Sequence, residues 1–87
     1  MKKLSTKNGL IAYRATAAEI KRAFGSPGVC DECGMKKDDG YLIPVLNHWQ
    51  CPECFEEWAV FAKHYPENDP VEAANAAFYE NVIPLTE

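Results

Sequence analysis

The chain has four cysteines, and they fall in two matching frames, Cys30-Asp-Glu-Cys33 and Cys51-Pro-Glu-Cys54. A Cys-x-x-Cys frame closes a tight turn that aims two sulfurs at one point, while amides inside the turn donate hydrogen bonds to them. Two such turns complete a tetrahedron, and the 17 residues between the pairs lie in the range of four-cysteine zinc sites. A disulfide framework needs an oxidising compartment. A redox dithiol ordinarily appears as one pair beside a βαβ pattern, and this chain has neither feature. A single metal ion on Cys30, Cys33, Cys51 and Cys54 uses all four residues. Zinc suits a reducing cytosol, and iron shares the same donor set. With four sulfurs bound the ion has no open position for water or substrate, so its binding energy becomes folding energy.

A staple matters because the chain is short. Eighty-seven residues allow one thin core rather than two. The expected organisation is a single domain over 1–87: an N-terminal strand and helix segment at 1–28, a zinc-binding core at 29–65 and a C-terminal helix at 66–87. "LSTKNG" after Met1-Lys2-Lys3 forms no apolar block, and no apolar run approaches the roughly 20 residues of a membrane span. The expectation is a cytoplasmic protein that does not engage membrane.

Local signals fill in the elements. Asn8-Gly9 marks a tight turn, and "LIAYR" (10–14) reads as a short strand, half of a hairpin. Thr16 and Glu19 have capping-box spacing and Gly25 is placed to close a helix from Ala17 to Phe24. "YLIPVL" (41–46) reads as a strand, "NH" as a turn and "WQC" as the return strand. Pro44 removes a backbone donor there, so the strand lies at an edge or contains a bulge. From Pro52 to about Tyr65, Phe55, Trp58, Ala59, Ala62 and Tyr65 recur at helical spacing, and Val60 and Phe61 widen the stripe enough to predict packing on two sides. Asp69-Pro70-Val71-Glu72 opens a last helix, with Val71, Ala74, Phe78 and Val82 as its docking face.

The second pair runs directly into helix material, Phe55-Glu56-Glu57-Trp58, where a zinc ribbon would have a second glycine-ended knuckle. CDECG, then YLIPVL–NH–WQC, then CPECFEEW resembles the treble-clef arrangement, also found in half of a LIM domain. The resemblance spans Val29 to Tyr65. It implies a small α+β zinc-binding domain of knuckle, β-hairpin and helix; the flanking N- and C-terminal helices depart from a bare treble clef and are expected to wrap it. "GYLIPVLNHWQCPECFEEW" is also similar to short uncharacterised proteins of bacteria, phages and mobile elements.

Other chemistry is sparse. His48 in place of one cysteine would give a Cys3His site with a cysteine left over. His64 reads as a cation near a helix C-terminus. A treble-clef nuclease would need its catalytic helix between the cysteine pairs, and 17 residues do not hold it. Glu56 and Glu57 point about 100° apart on a helix. No phosphate loop or nucleophile elbow occurs. The expectation is therefore no enzyme, but a protein-binding module. Trp49 and Tyr79 are the candidate partner anchors, since Trp and Tyr are enriched at interface hot spots.

Charge favours a protein partner over nucleic acid. The net charge of −4 divides unevenly: residues 1–29 carry six Lys or Arg against one acid, and residues 30–87 carry three Lys against twelve acids. The acidic half suits a basic partner, and a phage or mobile-element protein that blocks a host factor is one form of this. The alternative is a nucleic-acid-binding finger using Lys2, Lys3, Lys7, Arg14, Lys21 and Arg22.

Overall fold

The structure, a computed structural model, describes residues 1–86; Glu87, the last residue of the expected C-terminal segment, lies outside the described residues. Strands β1 (Lys2–Ser5) and β2 (Ile11–Thr16) lead into helix α1 (Ala17–Phe24). Strands β3 (Asp39–Ile43) and β4 (His48–Gln50) lead into helix α2 (Pro52–Phe61). A 3-10 turn (Pro66–Asn68) then opens helix α3 (Asp69–Val82). The strands form one antiparallel sheet in sequential order, β1-β2-β3-β4. No helix among the described residues is long and apolar enough to cross a membrane.

Strand alternation gives the sheet two buried faces. Tyr13, Leu42 and Trp49 stand in register across β2, β3 and β4, and their face is covered by Ile20 of α1 with Ala76, Tyr79 and Ile83 at α3. Ala12 and Ile43 point the other way, onto Phe55, Trp58 and Ala59 of α2. The N-terminal hairpin and the cysteine-bearing hairpin therefore share one sheet, with helices on both faces.

The capping box at Thr16 forms as the sequence predicts, with Glu19 N donating to Thr16 Oγ1 and Thr16 N donating to Glu19 Oε1. Gly25 closes α1 at φ +73°. Strand β3 stops at Ile43, three residues short of the end that YLIPVL (41–46) predicts, because Pro44 begins the turn at 44–47. Within that turn Asn47 N donates to Pro44 O, and Asn47 takes φ +55°. β3 is thus a central strand with the proline just beyond it. The early residues Lys2–Ser5 add a strand that carries no strong β signal, paired to β2 through Leu4 and Ala12.

Two expectations about the helices are corrected. Helix α2 ends at Phe61 rather than near Tyr65: Ala62 turns to extended backbone, and Pro66 holds Tyr65 extended ahead of it. The side-chain amide of Asn8 donates to Ala62 O at 2.7 Å and closes the helix end. Its Val60 and Phe61 are exposed, so α2 packs on one side only. Helix α3 docks by Glu72, Ala76, Tyr79 and Ile83, while Val71, Ala74, Phe78 and Val82 face solvent. Polar groups select that face: Glu72 accepts from Ile11 N, Asn75 donates to Pro44 O, and Glu80 accepts from Tyr13 and from Lys3.

Trp49 and Tyr79, expected at a partner surface, are both core residues, 3 % and 1 % exposed. Their polar atoms explain how such rings fit inside. Trp49 Nε1 donates to Ala15 O at 3.0 Å, and Tyr79 donates to Asn47 Oδ1 at 2.5 Å.

Candidate metal centre

The first cysteine pair sits on a knuckle before β3. Val29 and Lys36 pair as an isolated antiparallel bridge, Cys30 N donates to Met35 O, and Gly34 N donates to Cys30 O. Gly34 takes φ +77°, the left-handed turn that returns the chain after Cys33. The second pair starts α2. Cys51 is the residue before its first turn, Pro52 opens it, and Cys54 lies within it. Phe55 N donates to Cys51 O at 2.9 Å. The positive end of the helix dipole therefore lies at this pair, where it favours thiolates.

The β3–β4 hairpin folds the two pairs together. All four sulfurs lie within 4.8 Å of one another, and Cys33 Sγ and Cys51 Sγ are 3.9 Å apart. Tetrahedral zinc with sulfurs at about 2.3 Å requires sulfur–sulfur edges of about 3.8 Å; the Cys33–Cys51 edge matches that, and the donor set is consistent with such an ion. The same distance is far beyond a disulfide bond of about 2.05 Å, and all four cysteines are free. Cys30 and Cys51 are buried, Cys54 is half-buried and Cys33 is exposed. The centre thus forms one corner of the core, with a single edge toward solvent. His48 is not part of this group. It lies on β4 opposite Ile43, and its buried Nδ1 has no hydrogen-bond partner among the described residues.

Three of the thiols differ in how readily they ionise. Burial pushes the Cys30 thiol up, but amide donation from Cys33, Cys51 and Glu32 outweighs it and brings its pKa to about 6. Burial raises Cys51. Cys54 is raised by its hydrogen bond with Cys51, then by burial and crowding against Cys33 and Cys30. Cys30 ionises readily, while Cys51 and Cys54 resist. A divalent cation removes that conflict, because it stabilises every thiolate it touches. Four cysteines are positioned to bind one metal ion, consistent with zinc.

Sequence reasoning did not identify the residue that locks the knuckle to the sheet. Asp31 N donates to Trp49 O, and Trp49 N donates to Asp31 Oδ2, each at 2.9 Å. This two-point clasp occupies the outer edge of β4 and sets the first pair beside the second. An acceptor directly after Cys30 was the available signal.

No protein-family model matches the chain, and no curated protein and no solved structure is found similar to it.

Proposed function

We propose that the chain is a zinc-stabilised, non-enzymatic protein-binding module, built on a treble-clef-like unit of knuckle, β3–β4 hairpin and α2. Saturation supports the first half of this reading: four sulfurs around one ion leave no position for water or substrate. The observation that carries the second half is the apolar end of α2. Phe61 is 80 % exposed, with Val60 and Tyr65 about half exposed nearby in the chain. A single exposed apolar side chain is ordinary, but several grouped at one helix end are the kind of surface that marks an interaction site. Glu53, Glu56 and Glu57 are exposed on the same helix. An aromatic anchor on an acidic helix suits a partner with a basic rim around an apolar pocket. On this reading the chain acts by occupying its partner, the mode of a phage- or mobile-element-encoded modulator of a host factor.

The nucleic-acid reading has less support. Lys3 is paired with Glu80 and Arg14 with Asp39. Alternation along the strands also places Lys3 on the opposite face of the sheet from Lys2 and Arg14, so the basic third forms no continuous footprint.

Affinity purification of the zinc-loaded chain from its native host tests the proposal. A partner should be retained by the wild type and by Phe78→Glu, and lost by Phe61→Glu. No protein retained, or equal retention by Phe61→Glu, overturns it.

A further inference from the structure

Helix α3 docks by one face and leaves a second apolar face in solvent. Val71, Phe78 and Val82 are 52 %, 53 % and 36 % exposed, and exposed Ala74 lies between them. Their spacing places them on one stripe, roughly 110° around the helix from the docked face. Of the carboxylates on α3, Glu72 is drawn inward by Ile11 N and Glu80 by Tyr13 and Lys3, while Asp69 pairs with His64 before the stripe begins. The stripe itself is therefore uncharged. Phe78 meets Phe24 of α1 at 6.0 Å between ring centroids, and these two rings form the lip of a cleft of about 240 Å³ whose floor includes Leu42 and Trp49.

We propose that this face is the seam of a twofold homodimer, in which α3 helices of two copies cross antiparallel and each Phe78 seats against the other copy's cleft. The charges at the two ends of the stripe identify the occupant. Glu67 and Asp69 stand at the Val71 end. At the other end Arg22 lines a groove with Val82 and with Glu19, whose carboxylate is taken by the Met1 amino group, and Lys21 precedes Arg22 in α1. Lys63, the other cation near the start of α3, lines a different groove with Leu46 and Tyr65. An antiparallel pair brings the acids of each copy to the cations of the other, and it opposes the two helix dipoles. A parallel pair would set like charges together. The surface is thus complementary to itself, the requirement for an isologous contact. Ala74, on the edge of the stripe, is small enough to let the backbones approach.

A 14-residue helix is about 21 Å long, so the seam falls below about 1,200 Å² in total, the size of weak and reversible contacts. The apolar end of α2 is a different surface, so this inference stands or falls independently of the partner proposed above.

Sedimentation equilibrium of the full zinc-loaded chain is the test. The apparent mass should rise with concentration toward twice that of the chain. Phe78→Glu and Val71→Lys, both exposed positions, should each weaken association about tenfold or more, with circular dichroism and zinc content unchanged. Arg22→Glu and Glu67→Arg should each weaken it, and the two together in one chain should restore it. A chain that stays monomeric to about millimolar concentration, a dimer that both Phe78→Glu and Val71→Lys leave intact, or a double reversal that restores nothing overturns the proposal.

Discussion

Asp31 and Trp49 exchange two hydrogen bonds, each 2.9 Å long, one through the Asp31 amide and one through its carboxylate. Trp49 is buried, so its amide has no ready substitute for that carboxylate. Asp31→Ala should cost about 1–3 kcal/mol, the penalty for an unpaired buried donor. Asp31→Asn keeps an acceptor and should cost less. Urea denaturation of the zinc-loaded proteins gives both values, and equal stability of wild type and Asp31→Ala would show that the clasp does not hold the knuckle.

Metal removal should have a far larger effect. Structural zinc supplies on the order of 10 kcal/mol in small metallodomains, and an ion held by these four cysteines would join the knuckle to α2. Native mass spectrometry should find one ion per chain, and chelation or Cys51→Ser should melt the β3–β4 hairpin and α2. Affinity should fall in acid, where protons compete for the sulfurs. Unchanged circular dichroism and melting temperature after complete metal removal would refute a structural role.

Stability should decline at both ends of the pH scale for separate reasons. Burial, with the Glu80 hydrogen bond and charge, raises Tyr13 above its ordinary 10.0, and burial raises Tyr79 to about 12. Each favours the neutral phenol in the folded state, so that stabilisation is present below pH 10 and lost as pH rises beyond it. Glu80 is lowered by its hydrogen bonds from Tyr13 and Lys3, so its contribution is present above its ordinary 4.5 and lost as pH falls below it. Tyr13→Phe should flatten the alkaline limb of melting temperature against pH, and Glu80→Gln the acid limb.

Gly40 tests the packing of the sheet. A Cβ there would lie 2.7 Å from Trp49 Cε2, and that ring is pinned by its bond to Ala15 O. Gly40→Ala should therefore cost about 1–3 kcal/mol as overpacking, read as a lower denaturation midpoint. Phe61→Glu, at a site 80 % exposed, should leave the midpoint within about 0.5 kcal/mol.

Much of the local structure was legible because its determinants are local. The Thr16–Glu19 box, Gly25 and the two cysteine frames act within a few residues, and each signal is written in adjacent letters. The face of α3 was not legible. Val71, Phe78 and Val82 make the more apolar stripe, but Glu72, Asn75 and Glu80 find partners on β1, β2 and the 44–47 turn, far away in sequence. Trp49 and Tyr79 went the same way, since a buried ring with a polar tip needs an acceptor that only the folded chain supplies. Strand β1 escaped notice because Lys2 and Lys3 mask a register set by Leu4 alone on its inner side.

The bonds from α3 to Ile11, Tyr13 and Lys3 span 61 to 77 positions, whereas the sulfurs, from Cys30 to Cys54, lie at most 24 positions apart. During synthesis on the ribosome the cysteine turns emerge well before α3 does, so ion capture can precede closure of the opposite layer. Until α3 arrives, the Tyr13–Leu42–Trp49 surface of the nascent chain has only α1 over it. That interval is when a slow translation step would leave the chain most open to chaperones and to aggregation.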